Sequence, residues 1–283
     1  MVRVIRMKIR LFAPPNKRAP MKRITNILLF SFALGATLSC HHPAKVTGVD
    51  VQYVQLDPKN DGKDTAIENM ISPYRDSMKA LMDVVIAYSD TSMSKERDKL
   101  ETILGNFTSD AVLYEINHKT QLDGKDSTEK YQASMVILNI GGLRNSLPKG
   151  NITRGNIFEL MPFDNEIVVL TLSGKKTWEM MKFIAASGGE PEAGLKMGIH
   201  PDKSPGTVMI GGMALDTTHS YTIATSDYLA NGGDKMDFMA SPQKLETTGY
   251  KIRDALLDYC SYTTAQGKHL HPVLDGRLYY ETK

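Results

Sequence analysis

The chain has 283 residues, 34 Lys and Arg against 32 Asp and Glu, 41% hydrophobic residues and two cysteines. Eight of the basic residues (Arg3, Arg6, Lys8, Arg10, Lys17, Arg18, Lys22 and Arg23) fall in residues 1–39, which hold no acidic one, so the rest counts 26 basic against 32 acidic, about −6. That balance argues against a nucleic-acid partner, which requires a basic face.

The first forty residues read as a leader. Met21-Lys22-Arg23 precedes an apolar run, Ile27 to Leu38, and then Ser39-Cys40. A basic segment, a short apolar core and a small residue before a break mark a secretory signal. The core is short for a bilayer span. The cysteine directly after it predicts a bacterial lipoprotein acylated on Cys40, held at the cell envelope and facing the periplasm or the outside. An uncleaved anchor helix is the alternative. With Cys40 lipidated, Cys260 has no disulfide partner and reads as a buried apolar filler.

Residues 41–63 read as a tether, since His41, His42, Pro43, Asp57, Pro58, Asn60 and Gly62 give little apolar periodicity. Adjacent histidines on a leader do not make a metal site alone. Asp57-x-Lys59-x-Asp61-Gly62 echoes a calcium loop, but Lys59 stands where an oxygen ligand is needed. The folded domain is expected over 64–283.

Ile67, Met70, Ile71, Tyr74, Met78, Leu81, Val85 and Tyr88 follow helical spacing, which predicts an amphipathic helix over 64–89, kinked or restarted at Pro73, with the stripe in the core. A second helix is expected from Glu101 to Ile116, burying Ile103, Leu104, Phe107, Ala111, Val112 and Ile116. An apolar run from Met135 to Leu138 ends at Asn139 and Gly141-Gly142, as a buried strand does. The glycines let the backbone turn or approach a ligand. A short helix follows over Thr153–Leu160, capped by Thr153. Pro162-Phe163-Asp164-Asn165 then opens a strand from Ile167 to Leu172. A helix should run from Gly174 to Ser187, and a glycine- and proline-rich loop over 188–206, with His200 on its surface. Strands are expected at Thr207–Ile210 and Ser220–Thr225, with a turn at Leu215-Asp216 between them. Tyr250 to Tyr262 predicts a closing helix. His269-x-His271 lacks a visible third ligand and reads as structural. Strands alternating with helices give a mixed α and β class.

Four segments in order resemble the C-terminal domain of the 5′-nucleotidase family. They are Glu101-Thr102-Ile103-Leu104-Gly105-Asn106, then Asn139-x-Gly141-Gly142-x-Arg144, then Pro162-Phe163-x-Asn165 before a strand ending in Ser173-Gly174, and Tyr228-Leu229-Ala230-Asn231-Gly232-Gly233-Asp234. Asp275-Gly276-Arg277-Leu278 resembles that family's terminal strand. The resemblance implies an α+β domain, layered α/β/β/α and preceded by a long helix. It also implies a substrate site in which Asn139 and Arg144 lie near the ligand, Phe163 and Tyr228 sandwich a nucleobase, and Asp234 accepts from ribose hydroxyls.

The residues alone leave alternatives open. An amide donates and accepts, which suits a base or a ribose, but Asn139 also suits a turn. Arg144 suits a phosphate or carboxylate, or a surface ion pair. Asp234 is equally a turn carboxylate after two glycines.

Two departures stand out. The family carries a phosphate-binding arginine just before the glutamate of E-x-x-L-G-N, where this chain has Leu100. The family's catalysis belongs to an N-terminal metallophosphatase domain with two metals and D-x-H, G-D-x-x-D and G-N-H-[DE] segments. None of the three is expected in this chain: Gly105-Asn106 is followed by Phe107, and the seven histidines form no cluster in the sequence. The expectation is therefore a nucleotide- or nucleoside-binding component with no cofactor of its own. A two-metal centre would lie in a separately encoded metallophosphatase. The alternative is a non-catalytic nucleoside-binding or structural lipoprotein.

Overall fold

The computed structural model describes Arg3–Ile5, Tyr53–Gln55, Gly62, residues 64–96 and 98–119, the strands Gln121–Leu122 and Lys125–Asp126, and residues 131–282. It forms two units, residues 1–71 and 72–283. In the first, β1 (Arg3–Ile5) pairs antiparallel with β2 (Tyr53–Gln55). Cys40, the histidine pair and Asp57, Lys59 and Asp61 of the calcium-like segment lie outside the described residues. No helix of the described residues is long and apolar enough to cross a membrane.

Helix α1 (Thr65–Met82) continues through Pro73 and ends seven residues before the expected limit. Val85 and Tyr88 belong instead to β3 (Val85–Ser89), paired with β7 (Gly150–Thr153). The apolar stripe is not core: no residue of α1 is buried, and Met70, Tyr74, Met78 and Leu81 are all exposed. Helical periodicity defines an apolar face; it does not define what covers that face.

The second unit is built on a five-stranded sheet in the order β14 (Lys244–Lys251), β8 (Glu166–Ser173), β13 (Ser220–Ser226), β6 (Met135–Ile137) and β9 (Glu192–Ala193). Its strands alternate faces with period two. Val136, Ile167, Val169 and Ala224 join one apolar cluster with α2 (Ile103–His118), α3 (Arg154–Leu160) and α6 (Ile252–Ala265). Met135, Ile137, Val168, Leu170, Leu172 and Ile223 join the other, with α4 (Gly174–Ser187) and a second sheet. That sheet has the order β12 (Met213–Ala214), β11 (Pro205–Ile210), β10 (Leu195–Ile199) and β15 (Leu278–Tyr280). The mixed α+β class is as expected.

Local chemistry sets the helix starts. Thr102 caps α2 by accepting from the Gly105 N–H at 3.0 Å. Thr153 and Asn156 form a reciprocal capping box at α3. Ser173 caps α4.

The stretch 188–206 is not one loop. Leu195, Met197 and Ile199 are buried and make β10, and Glu192–Ala193 makes β9. Glycine density hid this alternation, since glycine adds flexibility without removing a ladder donor. His200 is half-buried, its Nδ1 3.0 Å from the Glu281 carbonyl. Strand β14 was also unexpected. Along this sheet edge even Leu245 is exposed, and Thr248 and Tyr250 are its buried residues, which weakens the apolar signal. Cys260 is fully buried, and burial pushes its thiol up to about 12.

Glu192 is 1% exposed, and its Oε1 has no hydrogen-bond partner among the described residues. Burial raises its carboxyl well above the usual range, against the pull of Arg277. The folded chain thus keeps a proton that the unfolded chain releases near pH 4.3. Stability attributable to this group is present below that pH and is lost as pH rises toward the folded value. Glu192→Gln should remove this loss. Urea midpoints from pH 5 to 9 should fall less steeply for the variant than for the parent. Equal slopes would show that Glu192 is ionised in the fold.

Candidate functional site

Topology gathers the sequence-marked residues at one end of the main sheet. Strands β6 and β13 are parallel neighbours, so both C-terminal ends point the same way. Asn139 follows β6 by two residues and Tyr228 follows β13 by two. Strand β8 runs antiparallel to β13 with Ile167 opposite Ser226, so Phe163, just before β8, reaches the same end. Loops beyond strand ends in such sheets are where ligand groups collect.

Asn139 Nδ2 donates to Asp234 Oδ2 at 2.6 Å, and the Tyr228 hydroxyl donates to Asp234 Oδ1 at 2.8 Å. The Asp234 N–H returns to the Tyr228 oxygen at 3.2 Å. The carboxylate beside it raises the Tyr228 phenol above its usual range. Gly141 and Gly142 serve close approach. A Cβ at Gly142 would lie 2.9 Å from Asn139 Oδ1, and one at Gly141 3.2 Å from Nδ2. Asn139 is also the first residue of a turn, its carbonyl accepting from the Gly142 N–H at 3.0 Å. Asn139 thus serves as a turn residue and as an amide donor to Asp234.

Arg144 and Phe163 form the second pair. The guanidinium carbon sits 5.7 Å from the ring centroid, and Nη1 is 3.4 Å from the Gly141 carbonyl. Arg144 makes no ion pair with a carboxylate among the described residues. Its main-chain N–H donates to the Leu160 carbonyl at 2.8 Å, which ties this loop to the end of α3. Phe163 and Tyr228 are each nearly half exposed.

Arg253, in the first turn of α6, was not legible as a site residue. Its Nη1 reaches the carbonyls of Met161 and Phe163, each at 3.4 Å, and its Nη2 pairs with Asp164. It also lies 4.4 Å over the Phe158 ring. Arg253, with Lys251, holds the Asp164 carboxyl below its usual range. It fixes the segment that presents Phe163. Nothing in a lone arginine on a helix signals that role.

Leu100 packs its side chain against the cluster under α4. Gly233-Asp234-Lys235-Met236-Asp237 does match the G-D-x-x-D spacing of a metallophosphatase. Here Asp234 is spent on Asn139 and Tyr228, in a loop with left-handed Gly232, Asp234 and Lys235 (φ 87°, 51° and 67°). No group of three His, Cys, Asp or Glu among the described residues could hold a metal ion. His269 and His271 both meet Asp90, at 2.9 and 3.4 Å, beside β3.

The chain is thus a mixed-sheet domain with an aromatic, amide and carboxylate cluster at one end of its main sheet. Residues 84–241, more than half the chain, match the family model for the 5′-nucleotidase C-terminal domain, and the chain belongs to that family. It is 25% identical over 229 residues to the trifunctional nucleotide phosphoesterase protein YfkN of Bacillus subtilis, covering 74% of this chain and 14% of that one. It is 27% identical over 202 residues to an apyrase of Tabanus yao (64% and 36% covered), and 25% over 226 residues to a 5′-nucleotidase of Vibrio parahaemolyticus (78% and 38%). The chain thus spans well under half the length of these relatives. In fold it is similar to the 5′-nucleotidase precursor of Thermus thermophilus, with TM-score 0.62, 22% identity, and 83% and 47% covered. A putative 5′-nucleotidase of Staphylococcus aureus gives 0.60, 19%, 83% and 48%.

Proposed function

We propose that this chain is the nucleotide- or nucleoside-binding component of a 5′-nucleotidase-type phosphohydrolase. It acts at the bacterial cell envelope, anchored through lipid on Cys40, with a separately encoded metallophosphatase that holds the two metals. The observation that carries this reading is the convergence of Asn139, Tyr228 and Asp234 beside the Arg144–Phe163 pair. Two rings offer π-faces to a base, Asp234 and Asn139 offer an acceptor and an amide to a sugar, and Arg144 offers a cation without a carboxylate partner. The basic leader, apolar run and Cys40 support the envelope placement.

Leu100 favours a second reading, a nucleoside binder without a phosphate site. Its side chain packs into the core, so that position brings no cation to the ligand.

Calorimetric titration of the full chain in detergent with adenosine and with AMP tests both. Phe163→Ala should weaken binding by about 5- to 150-fold, the equivalent of roughly 1–3 kcal/mol for one base–aromatic stack. AMP tighter than adenosine supports the phosphohydrolase component; adenosine equal or tighter supports the nucleoside binder. No binding of either at millimolar concentration would defeat both.

A further inference from the structure

We propose that the Tyr228 hydroxyl is a specificity latch on Asp234, which competes with the vicinal diol of a ribose for the carboxylate and so sets how strongly the site prefers ribose over sugars lacking those hydroxyls. The inference rests on the nucleoside reading above and goes beyond it, because it concerns the hydroxyl and not the ring.

An ionised carboxylate only accepts, through about four lone-pair positions. In this site both oxygens already hold a donor. Asn139 Nδ2 occupies one position on Oδ2 at 2.6 Å. The Tyr228 hydroxyl occupies Oδ1 at 2.8 Å. The same hydroxyl accepts from the Asp234 N–H at 3.2 Å, so it is satisfied as donor and acceptor within one loop.

The ring is held as well as the hydroxyl. A Cβ at Gly233 would fall 2.5 Å from a Tyr228 ring carbon, so the ring lies against the Gly233 backbone. Asp234 and Lys235 are consecutive non-glycine residues at positive φ, 51° and 67°. That conformation is costly for side chains and turns the carboxylate back toward the ring. A phenylalanine at 228 would keep the stacking surface and free Oδ1.

A diol approaching Asp234 therefore shares its oxygens with donors already in place; an oxygen that already accepts one hydrogen bond is a weaker acceptor for the next, so the diol gains less from it. A ligand without the diol meets no such competition. An exposed neutral-to-carboxylate bond of this kind has a net worth that converts to about 2- to 10-fold in affinity.

The test titrates the full chain and its Tyr228→Phe and Asp234→Asn variants with adenosine and with 2′,3′-dideoxyadenosine. The latch predicts that Tyr228→Phe binds adenosine about 2- to 10-fold tighter and dideoxyadenosine unchanged. Asp234→Asn should bring the two ligands close to equal affinity. Adenosine unchanged or weaker in Tyr228→Phe would overturn the latch, and would mean that the hydroxyl only steadies the ring. An equal gain for both ligands would also overturn it, because the hydroxyl would then gate the ring and not the diol. If none of the three chains binds either ligand, the nucleoside reading itself fails and the latch falls with it.

Discussion

Replacing Arg277 by Met should cost about 3 kcal/mol of stability, read as a lowered urea midpoint with an unchanged slope. The guanidinium has five N–H groups, and all five are used. Nε donates to Asp275 Oδ1 at 3.0 Å and Nη2 to Asp275 Oδ2 at 2.8 Å. Nη1 and Nη2 form a fork on Asp110 at 2.8 and 3.0 Å, and Nη1 also donates to the Glu192 carbonyl at 2.7 Å. Burial works against the charge of Arg277, but Asp110 and Asp275 outweigh it and raise its pKa. The same contact lowers the Asp275 carboxyl.

Breaking a buried pair by removing one partner typically costs about 3–5 kcal/mol, because the other charge is stranded. The lower end applies here. The side chains of Asp110 and Asp275 are 44% and 48% exposed and can turn to water, whereas the Arg277 side chain is 10% exposed. Arg277→Lys should recover only part of the loss, since an ammonium has three donors and no planar fork. Full recovery by lysine would show that charge alone matters. Because Arg277 opens the approach to β15 and its carbonyl accepts from the Met197 N–H at 2.7 Å, the variant should also expose the β10–β15 amides to hydrogen exchange.

Arg277 was legible only as part of a short resembling segment, and its role depends on two distant places in the chain, Asp110 and Glu192. The same division runs through the molecule. Strand β6 was readable as a short apolar run ending at glycines, and helix α2 from apolar residues at helical spacing. Residues 139, 144, 163, 228 and 234 could be singled out because each lies in a segment that resembles a family pattern. What they do to each other was not readable. The Asn139–Asp234 bond joins residues 95 apart. The Tyr228–Asp234 bond needs a left-handed backbone that the five intervening letters do not declare. The stripe on α1 failed for a different reason. Its spacing reports a helix correctly, and burial depends on partners that spacing does not encode.

Gly189→Ala is expected to be the most damaging small substitution in the domain, costing about 3 kcal/mol or more. Gly188 ends α4 in the left-handed region, with φ 86°, and Gly189 follows with φ 104°; the Gly189 N–H donates to the Ile184 carbonyl at 3.0 Å. A methyl at Gly189 would lie 2.0 Å from the Leu100 carbonyl oxygen and 2.8 Å from its carbonyl carbon. Backbone strain for a side chain at positive φ is about 1–2 kcal/mol, and overpacking adds about 1–3 kcal/mol. Leu100 cannot yield freely. Two residues later Thr102 caps α2, and Glu101 accepts from Asn106 and from the main chain at Asp275 and Gly276. Gly188→Ala is the internal control. Nothing lies within 4 Å of a Cβ there, so it carries strain without collision and should cost about 1–2 kcal/mol. Paired urea titrations of the two variants separate the terms. A Gly189→Ala loss no larger than that of Gly188→Ala would mean that the 99–102 segment moves aside easily, and that α2 is not anchored at its start by the Leu100 contact.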